Sequence, residues 1–368
     1  MQKLMKFFLA ALLLFISFSM TGILFIFQTF FARFDRNEHT GYLSYEDVKA
    51  QYSRREISFP SGKNLLKGYL YGEDHQKGLV VLVHGLGGGA ESYLAETLYF
   101  VDQGWRVFSF DCTGSFGSEG SGIGSLSQAL LDLRAALDYI KKDSSLRQLP
   151  LMLYGHSMGG YAVSSVLQYG YEINGVVSVS GFNSPLNVMI DRSSQYIGFL
   201  AYLEYPFLWT YQALMYGKTG FVEAIDGINQ SDTPVMIIHG LEDRSVTYNG
   251  SGIIACRDRI SNPNTVYITC STPYRNDHKN LCISEAAYLY RKEIKEGYRA
   301  LSLKYGKRIP GKIKAMYYEA IDVKKASELD QEFMDQINSF YHDCLSSDPS
   351  AQVRTSVPLS PTAELSYP

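Results

Sequence analysis

The chain has 368 residues, of which 46% are hydrophobic and 19% are charged, and its formal net charge is −3. This composition is that of a globular protein, and the length is enough for one large domain or two modest ones. The nearly balanced charge excludes nucleic acid as an expected partner, because it provides no excess of basic side chains.

The N-terminal segment is predicted to anchor the chain in a membrane. No charged side chain occurs between Phe7 and Ala32, and these 26 residues are enough to cross a hydrocarbon core as a helix. A cleaved signal peptide has a shorter apolar core followed by a small-residue cleavage site, and no clear site of that kind follows here. We therefore predict a single uncleaved transmembrane helix within residues 1–36.

The flanking charges indicate the orientation of this anchor. Lys3 and Lys6 precede the apolar stretch, whereas Arg33 and Arg36 follow it together with acidic residues. Basic residues are retained on the cytoplasmic side and acidic residues count little in that rule, so the asymmetry is slight. We expect the N-terminus inside and the bulk of the protein outside the cytoplasm.

Short apolar runs alternate with helical patterns over residues 37–345. Strands are predicted over Glu56–Pro60, Leu65–Tyr71, Leu79–Val83, Arg106–Phe110, Leu149–Tyr154, Gly175–Val179, Pro234–His239 and Thr265–Thr269. Helices are predicted over Ser92–Gln103, Leu126–Lys142, Met158–Gln168 and Leu329–Cys344. This alternation predicts an α/β domain with a mostly parallel central sheet flanked by helices. In such sheets the active site lies at the carboxyl ends of the strands.

Two long stretches interrupt this alternation, and a third follows it. Residues 183–232 separate two strands by far more than an ordinary loop and are rich in aromatic residues, so they are predicted to form a helical cap. Some of these aromatics are expected to line a substrate pocket, while most form the core of the cap. Residues 281–326 are predicted to be a helical insertion, and residues 346–368, rich in Ser, Pro and Thr, a disordered tail.

The pentapeptide Gly155-His156-Ser157-Met158-Gly159 is the strongest functional signal. It lies between a predicted strand and a predicted helix, which is the context of a nucleophile elbow. There a sharp turn strains the serine backbone and pushes Oγ out of the end of the sheet. Ser157 is therefore the candidate nucleophile, and the alternative is a glycine-rich turn with an incidental serine.

A serine nucleophile needs a base within hydrogen-bond reach. Among the seven histidines, His278 is the candidate because it lies in the loop 271–280, which follows the last predicted strand. His84 and His156 flank glycine turns, and we expect them to shape those loops.

The base in turn needs an orienting carboxylate. Asp243 lies just past the end of a predicted strand, and its neighbour Glu242 is an open alternative. The order Ser157, Asp243, His278 is the chain order expected of a nucleophile-elbow hydrolase.

Acyl transfer also requires donors for the oxyanion of the tetrahedral intermediate. The backbone N–H of Met158 is one candidate, because it stands at the start of a helix whose dipole favours negative charge. The other is predicted in the glycine-rich loop after Leu79–Val83, with the N–H of Leu86 as the candidate.

The chain resembles the α/β-hydrolase superfamily over roughly residues 55–344, in the branch of serine esterases, monoacylglycerol lipases and serine aminopeptidase-like hydrolases. The resemblance rests on His84-Gly85-Leu86-Gly87, Asp111–Gly120, Gly155–Gly160, the Asp243 loop and His278. It implies Ser157 as nucleophile, His278 as base, Asp243 as orienting acid, and Leu86 and Met158 as oxyanion donors. One departure is the long insertion soon after His278, where the family usually enters its final helix sooner.

The predicted function is hydrolysis of a small-molecule carboxylic ester through an acyl-enzyme, and the apolar anchor and aromatic cap favour a lipid-derived ester. A serine peptidase or amidase is the first alternative, for which Asp191 or Glu204 could hold a substrate ammonium group. A catalytically silent binding protein is the second alternative. The sequence does not indicate an oligomeric state.

No metal or organic cofactor is expected. No Cys and His spacing resembles a zinc site, and the five cysteines are too few for a disulfide scaffold. Cys270 and Cys282 flank the loop of His278, and we expect both to be free, with a bridge between them as the alternative.

Overall fold

The computed structural model describes residues 1–306 and 308–346, so the predicted disordered tail lies almost entirely outside the described residues. The strands are β1 Arg54–Ser61, β2 Asn64–Tyr71, β3 Leu79–Val83, β4 Arg106–Phe110, β5 Leu151–His156, β6 Gly175–Val179, β7 Val235–Gly240 and β8 Thr265–Cys270. The helices are α1 Gln2–Phe30, α2 Leu94–Asp102, α3 Gln128–Lys142, α4 Met158–Ser165, α5 Pro185–Ile197, α6 Tyr205–Tyr216, α7 Ala224–Asn229, α8 Glu285–Tyr305, α9 Gly311–Glu319, α10 Val323–Ala326 and α11 Gln331–Leu345.

The described strands form one eight-stranded sheet in the order β1-β2-β4-β3-β5-β6-β7-β8. The β1–β2 and β2–β4 pairs are antiparallel, and every other neighbouring pair is parallel. The predicted α/β fold with a mostly parallel sheet is therefore confirmed, and each strand begins and ends within two residues of its predicted bounds.

Strand β3 shows why its sequence is a continuous apolar run. All five of its residues are buried, and alternate side chains enter cores on opposite faces of the sheet. Leu79, Val81 and Val83 join the core that includes residues of α3 and α4. Val80 and Leu82 join the core that includes residues of α2 and α11. Helices therefore cover both faces, and the strand ends are left for the site.

Residues 183–232 contain α5, α6 and α7, joined by short 3₁₀ segments. This stretch packs on the body through the loop before α3, where the Gln212 amide donates to Ser125 Oγ at 2.7 Å and Tyr211 donates to the Gly124 carbonyl at 3.3 Å. Tyr161 of α4 donates to the carbonyl of Val222 at 3.1 Å. Helices thus lie where the cap was predicted.

Helix α1 is the one helix among the described residues that is long and apolar enough to cross a membrane. Its C-terminal half contacts α6, with the Phe27 ring stacked on Tyr211 at a centroid distance of 3.8 Å. The following segment joins the body, because the Phe34 N–H donates to the Gly114 carbonyl at 2.9 Å and Phe34 accepts from the Phe116 N–H at 2.8 Å.

The stretch 281–326 contains α8, α9 and α10, and an antiparallel bridge between Ile283 and Leu329 closes it before α11. Cys270 and Cys282 are both free, as expected. The Cys282 thiol instead lies 3.3 Å from the Tyr154 hydroxyl.

Candidate active site

The elbow at Ser157 is built by glycines that allow two backbones to approach each other. Ser157 has φ 56° and ψ −112°, between the end of β5 and the start of α4. A Cβ at Gly155 would lie 2.3 Å from the Gly159 carbonyl oxygen, and a Cβ at Gly159 would lie 2.0 Å from that of Val83. Side chains at these positions would therefore force the strand, the helix and the loop after β3 apart.

The structure brings Ser157, His278 and Asp243 together from the ends of three strands. His278 Nε2 lies 3.0 Å from Ser157 Oγ, and His278 Nδ1 lies 2.7 Å from Asp243 Oδ2. An ionised carboxylate only accepts hydrogen bonds, so Nδ1 carries the imidazole proton and Nε2 is free to accept from the serine hydroxyl. This is the arrangement in which a serine can be deprotonated as it attacks.

Asp243 is buried, and its neighbourhood favours the ionised form. Its Oδ1 accepts from the backbone N–H groups of Ser245 at 2.8 Å and Val246 at 2.9 Å. Burial alone would raise the pKa of this carboxyl, but hydrogen bonding by His239 and His278 outweighs burial and holds the pKa well below its usual range. A fixed negative charge therefore faces Nδ1 of His278 at neutral pH.

The loop that carries His278 is itself fixed by a tight turn. Asp277 Oδ1 accepts from the N–H groups of Lys279 and Asn280, both at 2.9 Å, and the Asn276 carbonyl accepts from the Glu242 N–H at 2.8 Å. The side chain of Glu242, the alternative carboxylate, is exposed, whereas that of Asp243 contacts the histidine.

The two predicted oxyanion donors lie in segments that pack closely on each other. Within residues 1–306 and 308–346, the N–H groups of Leu86 and Met158 donate to no protein acceptor. The loop of Leu86 abuts the elbow, because a Cβ at Gly85 would lie 3.1 Å from His156 Nδ1. A developing oxyanion requires N–H donors that are free in this way.

Comparisons with known proteins agree with this architecture. The family model described as serine aminopeptidase, S33, matches residues 74–203. An esterase of Pyrococcus furiosus superposes with a TM-score of 0.52 at 17% identity, covering 74% of this chain and 98% of the esterase. An α/β hydrolase of Vibrio vulnificus superposes with a TM-score of 0.50 at 17% identity, covering 74% of this chain and 92% of that protein. No curated protein sequence matches at a significant level.

The chain has the α/β-hydrolase fold. Its sheet order, with β2 antiparallel and the elbow directly after β5, is described above, and the two neighbours share the fold as a whole. The identities are low, so the structural likeness establishes the fold and does not identify a substrate.

A hydrogen-bonded chain behind the site was not predicted from the sequence. The Gly85 N–H donates to the Tyr93 hydroxyl at 3.1 Å, and that hydroxyl lies 2.6 Å from His156 Nδ1. His156 Nε2 lies 2.7 Å from the backbone carbonyl of His278, which can only accept. Nε2 therefore carries the proton, and Tyr93 donates to Nδ1. This chain links the loop of Leu86 to the loop of the proposed base.

The electrostatics suit a neutral His156. Burial, followed by the nearby His278, lowers the pKa of His156 to about 3, so the ring stays uncharged at neutral pH. Burial also raises the pKa of Tyr93, which keeps its hydroxyl protonated and able to donate. His156 was expected only to shape its loop, and the unpredicted part is its contact with the backbone of His278.

His84 and Asp111 connect the loop after β3 to the glycine-rich turn 111–120 through hydrogen bonds. Buried His84 accepts from the Cys112 N–H through Nε2 at 2.9 Å, as expected of a loop-shaping histidine. Asp111 accepts from the Ala90 N–H at 2.7 Å and from the Gly117 N–H at 3.0 Å. The glycine-rich turn 111–120 is thereby connected to the loop after β3.

The two carboxylates considered for binding a substrate ammonium group are both engaged elsewhere. Asp191 accepts from the hydroxyls of Thr247 at 2.7 Å and Ser251 at 2.6 Å. Glu204 accepts from Ser19 of α1 at 3.1 Å. Among the described residues, no group of three or more His, Cys, Asp and Glu side chains is arranged to hold a metal ion.

Proposed function

We propose that this protein is a serine hydrolase that cleaves carboxylic esters through an acyl-enzyme. The observation that carries the proposal is the hydrogen-bonded series from Ser157 Oγ through the His278 ring to Asp243, with distances of 3.0 Å and 2.7 Å. Each distance falls within the range needed for proton transfer between a nucleophile, a base and its orienting acid.

In the first half of the reaction, Ser157 Oγ attacks the ester carbonyl carbon while His278 Nε2 takes the hydroxyl proton. The negative charge that develops on the carbonyl oxygen is held by the N–H groups of Leu86 and Met158. One such donor is typically worth about 10²- to 10³-fold in rate. Collapse of the tetrahedral intermediate breaks the ester C–O bond, and His278 gives its proton to the departing alkoxide, which leaves as the alcohol.

In the second half, water replaces the alcohol beside His278. Nε2 takes a proton from water as the oxygen attacks the acyl carbon, and the same N–H groups hold the second oxyanion. Breaking the bond to Ser157 Oγ returns the proton to the serine and releases the carboxylic acid. Asp243 remains ionised throughout and stabilises the imidazolium that forms in each half.

The proposed substrate is a small-molecule ester with an apolar acyl part, such as a lipid-derived ester. Two features support this choice: α1 can span a membrane by its length and composition, and the cap carries many exposed apolar side chains beside it. The Pyrococcus furiosus structure of the same fold is described as an esterase.

The placement in the cell and the division of the chain are proposals of the same kind. We assign residues 1–36 to a single-pass anchor with its N-terminus in the cytoplasm, and residues 37–345 to a hydrolase domain outside it. Residues 183–232 are its cap, and residues 281–326 are a helical insertion.

A peptidase or amidase is the second candidate, because the matching family model is described as a serine aminopeptidase. An aminopeptidase needs an anionic group for the substrate ammonium. Asp191 and Glu204, the two carboxylates considered for that task, already accept hydrogen bonds from Thr247, Ser251 and Ser19. This engagement favours an ester that carries no ammonium group and so needs no such partner.

The test uses the full chain in detergent, treated with a fluorophosphonate probe beside its Ser157→Ala and His278→Ala variants. We expect an adduct mass on the Ser157 peptide of the wild type, none in Ser157→Ala, and slow labelling in His278→Ala. Esters of increasing acyl length and matching anilides then separate esterase from amidase. A folded wild type that forms no adduct would overturn the hydrolase assignment and support a silent binding protein.

A further inference from the structure

The helical cap presents an apolar surface directly beside the N-terminal helix. This apolar cap face consists of residues 196–205 together with Leu214 and Met215 of α6. Phe199 and Leu214 are each 77% exposed, and Tyr196 is 74% exposed. A soluble surface rarely leaves so many large apolar side chains contiguous, so the face needs a partner.

Charge is almost absent from this part of the chain. Between Ser193 and Gly217, Glu204 is the single charged residue of the sequence. Its carboxylate is turned towards α1, where Ser19 Oγ donates to it at 3.1 Å. The outward side of the apolar cap face therefore carries aromatic and aliphatic groups, with tyrosine hydroxyls among them.

Three contacts fix the depth of the cap along α1. Phe15 meets Phe207 at a ring-centroid distance of 5.7 Å, Ser19 meets Glu204, and Phe27 stacks on Tyr211. Between Phe15 and Phe27 the axis of α1 advances by about 18 Å, at ~1.5 Å per residue. The cap thus follows a large part of the helix and not only its end.

Helix α1 must also provide the residues that cross the hydrocarbon core of the bilayer. A hydrocarbon core of ~30 Å takes about 20 helical residues. The charge-free stretch runs from Phe7 to Ala32, and every window of that length within it includes Phe15, Ser19 and Ile23. If α1 spans the membrane, the cap residues that contact Phe15 and Ser19 lie at the depth of the acyl chains.

The anchor is also held rigidly at its exit. The Arg33 guanidinium donates to the backbone carbonyls of Phe116, Ser118 and Gly120, at 2.7 Å for Ser118 and 3.2 Å for Gly120. The body is therefore attached to α1 by direct contacts and not by a flexible linker, and its orientation follows that of α1.

From these observations we propose that the apolar cap face is embedded in the bilayer beside α1, with lipid acyl chains as its partner. The proposal rests on the membrane anchor of the proposed function and goes beyond it, because it places part of the hydrolase domain itself in the membrane. The apolar side chains of this face suit the acyl-chain region, and its tyrosines suit the interface on the exit side of α1.

The chain offers a simple optical test, because it contains two tryptophans. Trp105 is fully buried in the core, and Trp209 lies in α6. In a Trp209→Phe background, Phe199→Trp places a reporter on the apolar cap face with a conservative aromatic exchange. The matched control is Tyr267→Trp in the same background, on the edge strand β8, where Tyr267 is 39% exposed.

Both full-length variants are reconstituted in phosphatidylcholine vesicles whose acyl chains carry bromine near the middle. We expect the bromolipid to lower the emission of the Phe199→Trp variant by about half relative to the control, because the reporter lies among the acyl chains. Equal emission of the two variants would overturn the proposal. A blue-shifted but unquenched reporter would also overturn it and would identify protein, such as a second copy, as the partner.

Flotation of the same samples distinguishes a failure of the embedded cap from a failure of the membrane anchor on which it rests. If both variants float with the vesicles and Phe199→Trp is not quenched, the anchor stands and the embedded cap is wrong. If neither variant floats, the anchor itself is wrong and the embedded cap falls with it. Fluorophosphonate labelling of both variants in detergent reports on the active site independently of either result.

Discussion

The backbone conformation of Ser157 predicts that glycine at this position gives a more stable protein than alanine, which is the reverse of the usual effect of glycine inside a helix or strand. At φ 56° and ψ −112° a residue with a Cβ is strained, whereas glycine adopts such a conformation readily. The perturbation is a pair of substitutions, Ser157→Gly and Ser157→Ala. Both remove Oγ and its hydrogen bond to His278, so that loss cancels when the two variants are compared.

The expected difference follows from two opposing contributions. Alanine keeps the Cβ and with it a strain of about 1–3 kcal/mol, which glycine relieves. Glycine makes the unfolded chain more flexible, which disfavours its folded state by about 0.4–1 kcal/mol. The Ser157→Gly variant should therefore be more stable than Ser157→Ala by about 1 kcal/mol, or about 2 °C in Tm for a domain of this size.

Thermal unfolding of the two full-length variants in one detergent measures this difference. Ser164, inside α4, provides the matched control, because its helical backbone should make Ser164→Ala more stable than Ser164→Gly by about 1 kcal/mol. A higher Tm for Ser157→Ala than for Ser157→Gly would refute the argument from strain, and the elbow would then not be a strained turn in solution.

Three further predictions concern the groups around Ser157. Asp243→Asn should lower kcat by about 10⁴-fold, because the amide no longer enforces a proton on Nδ1 of His278; a loss under tenfold in ester turnover would contradict this role. Tyr93→Phe should lower kcat by about tenfold with little change in KM, since a partner lost by a buried polar group costs ~1–3 kcal/mol; unchanged steady-state kinetics would remove Tyr93 from the positioning of the site. The pKa of His156, lowered from 6.5 to about 3, means that below pH 6.5 the unfolded chain binds a proton that the folded chain does not. Stability contributed by the neutral ring is therefore complete above pH 6.5 and is lost as pH falls towards 3, so urea midpoints should fall less steeply in His156→Gln than in the wild type.

The strands were predictable because buried strands consist of continuous apolar residues, which the sequence shows directly. A run such as Leu79–Val83 has no polar face, and in a parallel sheet covered on both sides it needs none. The order of the strands was not predictable in the same way. Strand β2 pairs with β4 and not with β3, and that choice depends on contacts between segments far apart in the chain.

The same distinction applies to the site. Ser157, Asp243 and His278 each follow the end of a strand, and a parallel sheet brings such ends to one edge. The contact of Tyr93 with His156 has no local signal, because the two residues are 63 positions apart and Tyr93 lies where the sequence predicts an ordinary helix. Side-chain networks of this kind are determined by packing between elements, which periodicity does not encode.

If α1 is the membrane anchor that we propose, its packing joins the membrane to the active site. Sequence composition places the end of the membrane segment at residue 36, yet Arg33 already donates to the carbonyls of the turn 111–120. The first residue of that turn, Asp111, accepts a hydrogen bond from the Ala90 N–H. Ala90 is close in the chain to Tyr93 and to Leu86, the proposed oxyanion donor of the loop after β3. Cutting the chain at residue 37 would therefore remove a support of the site, whereas a cut before Arg33 would keep it. The placement of α1 and the alignment of the loop after β3 thus depend on the same turn, which both segments contact through hydrogen bonds.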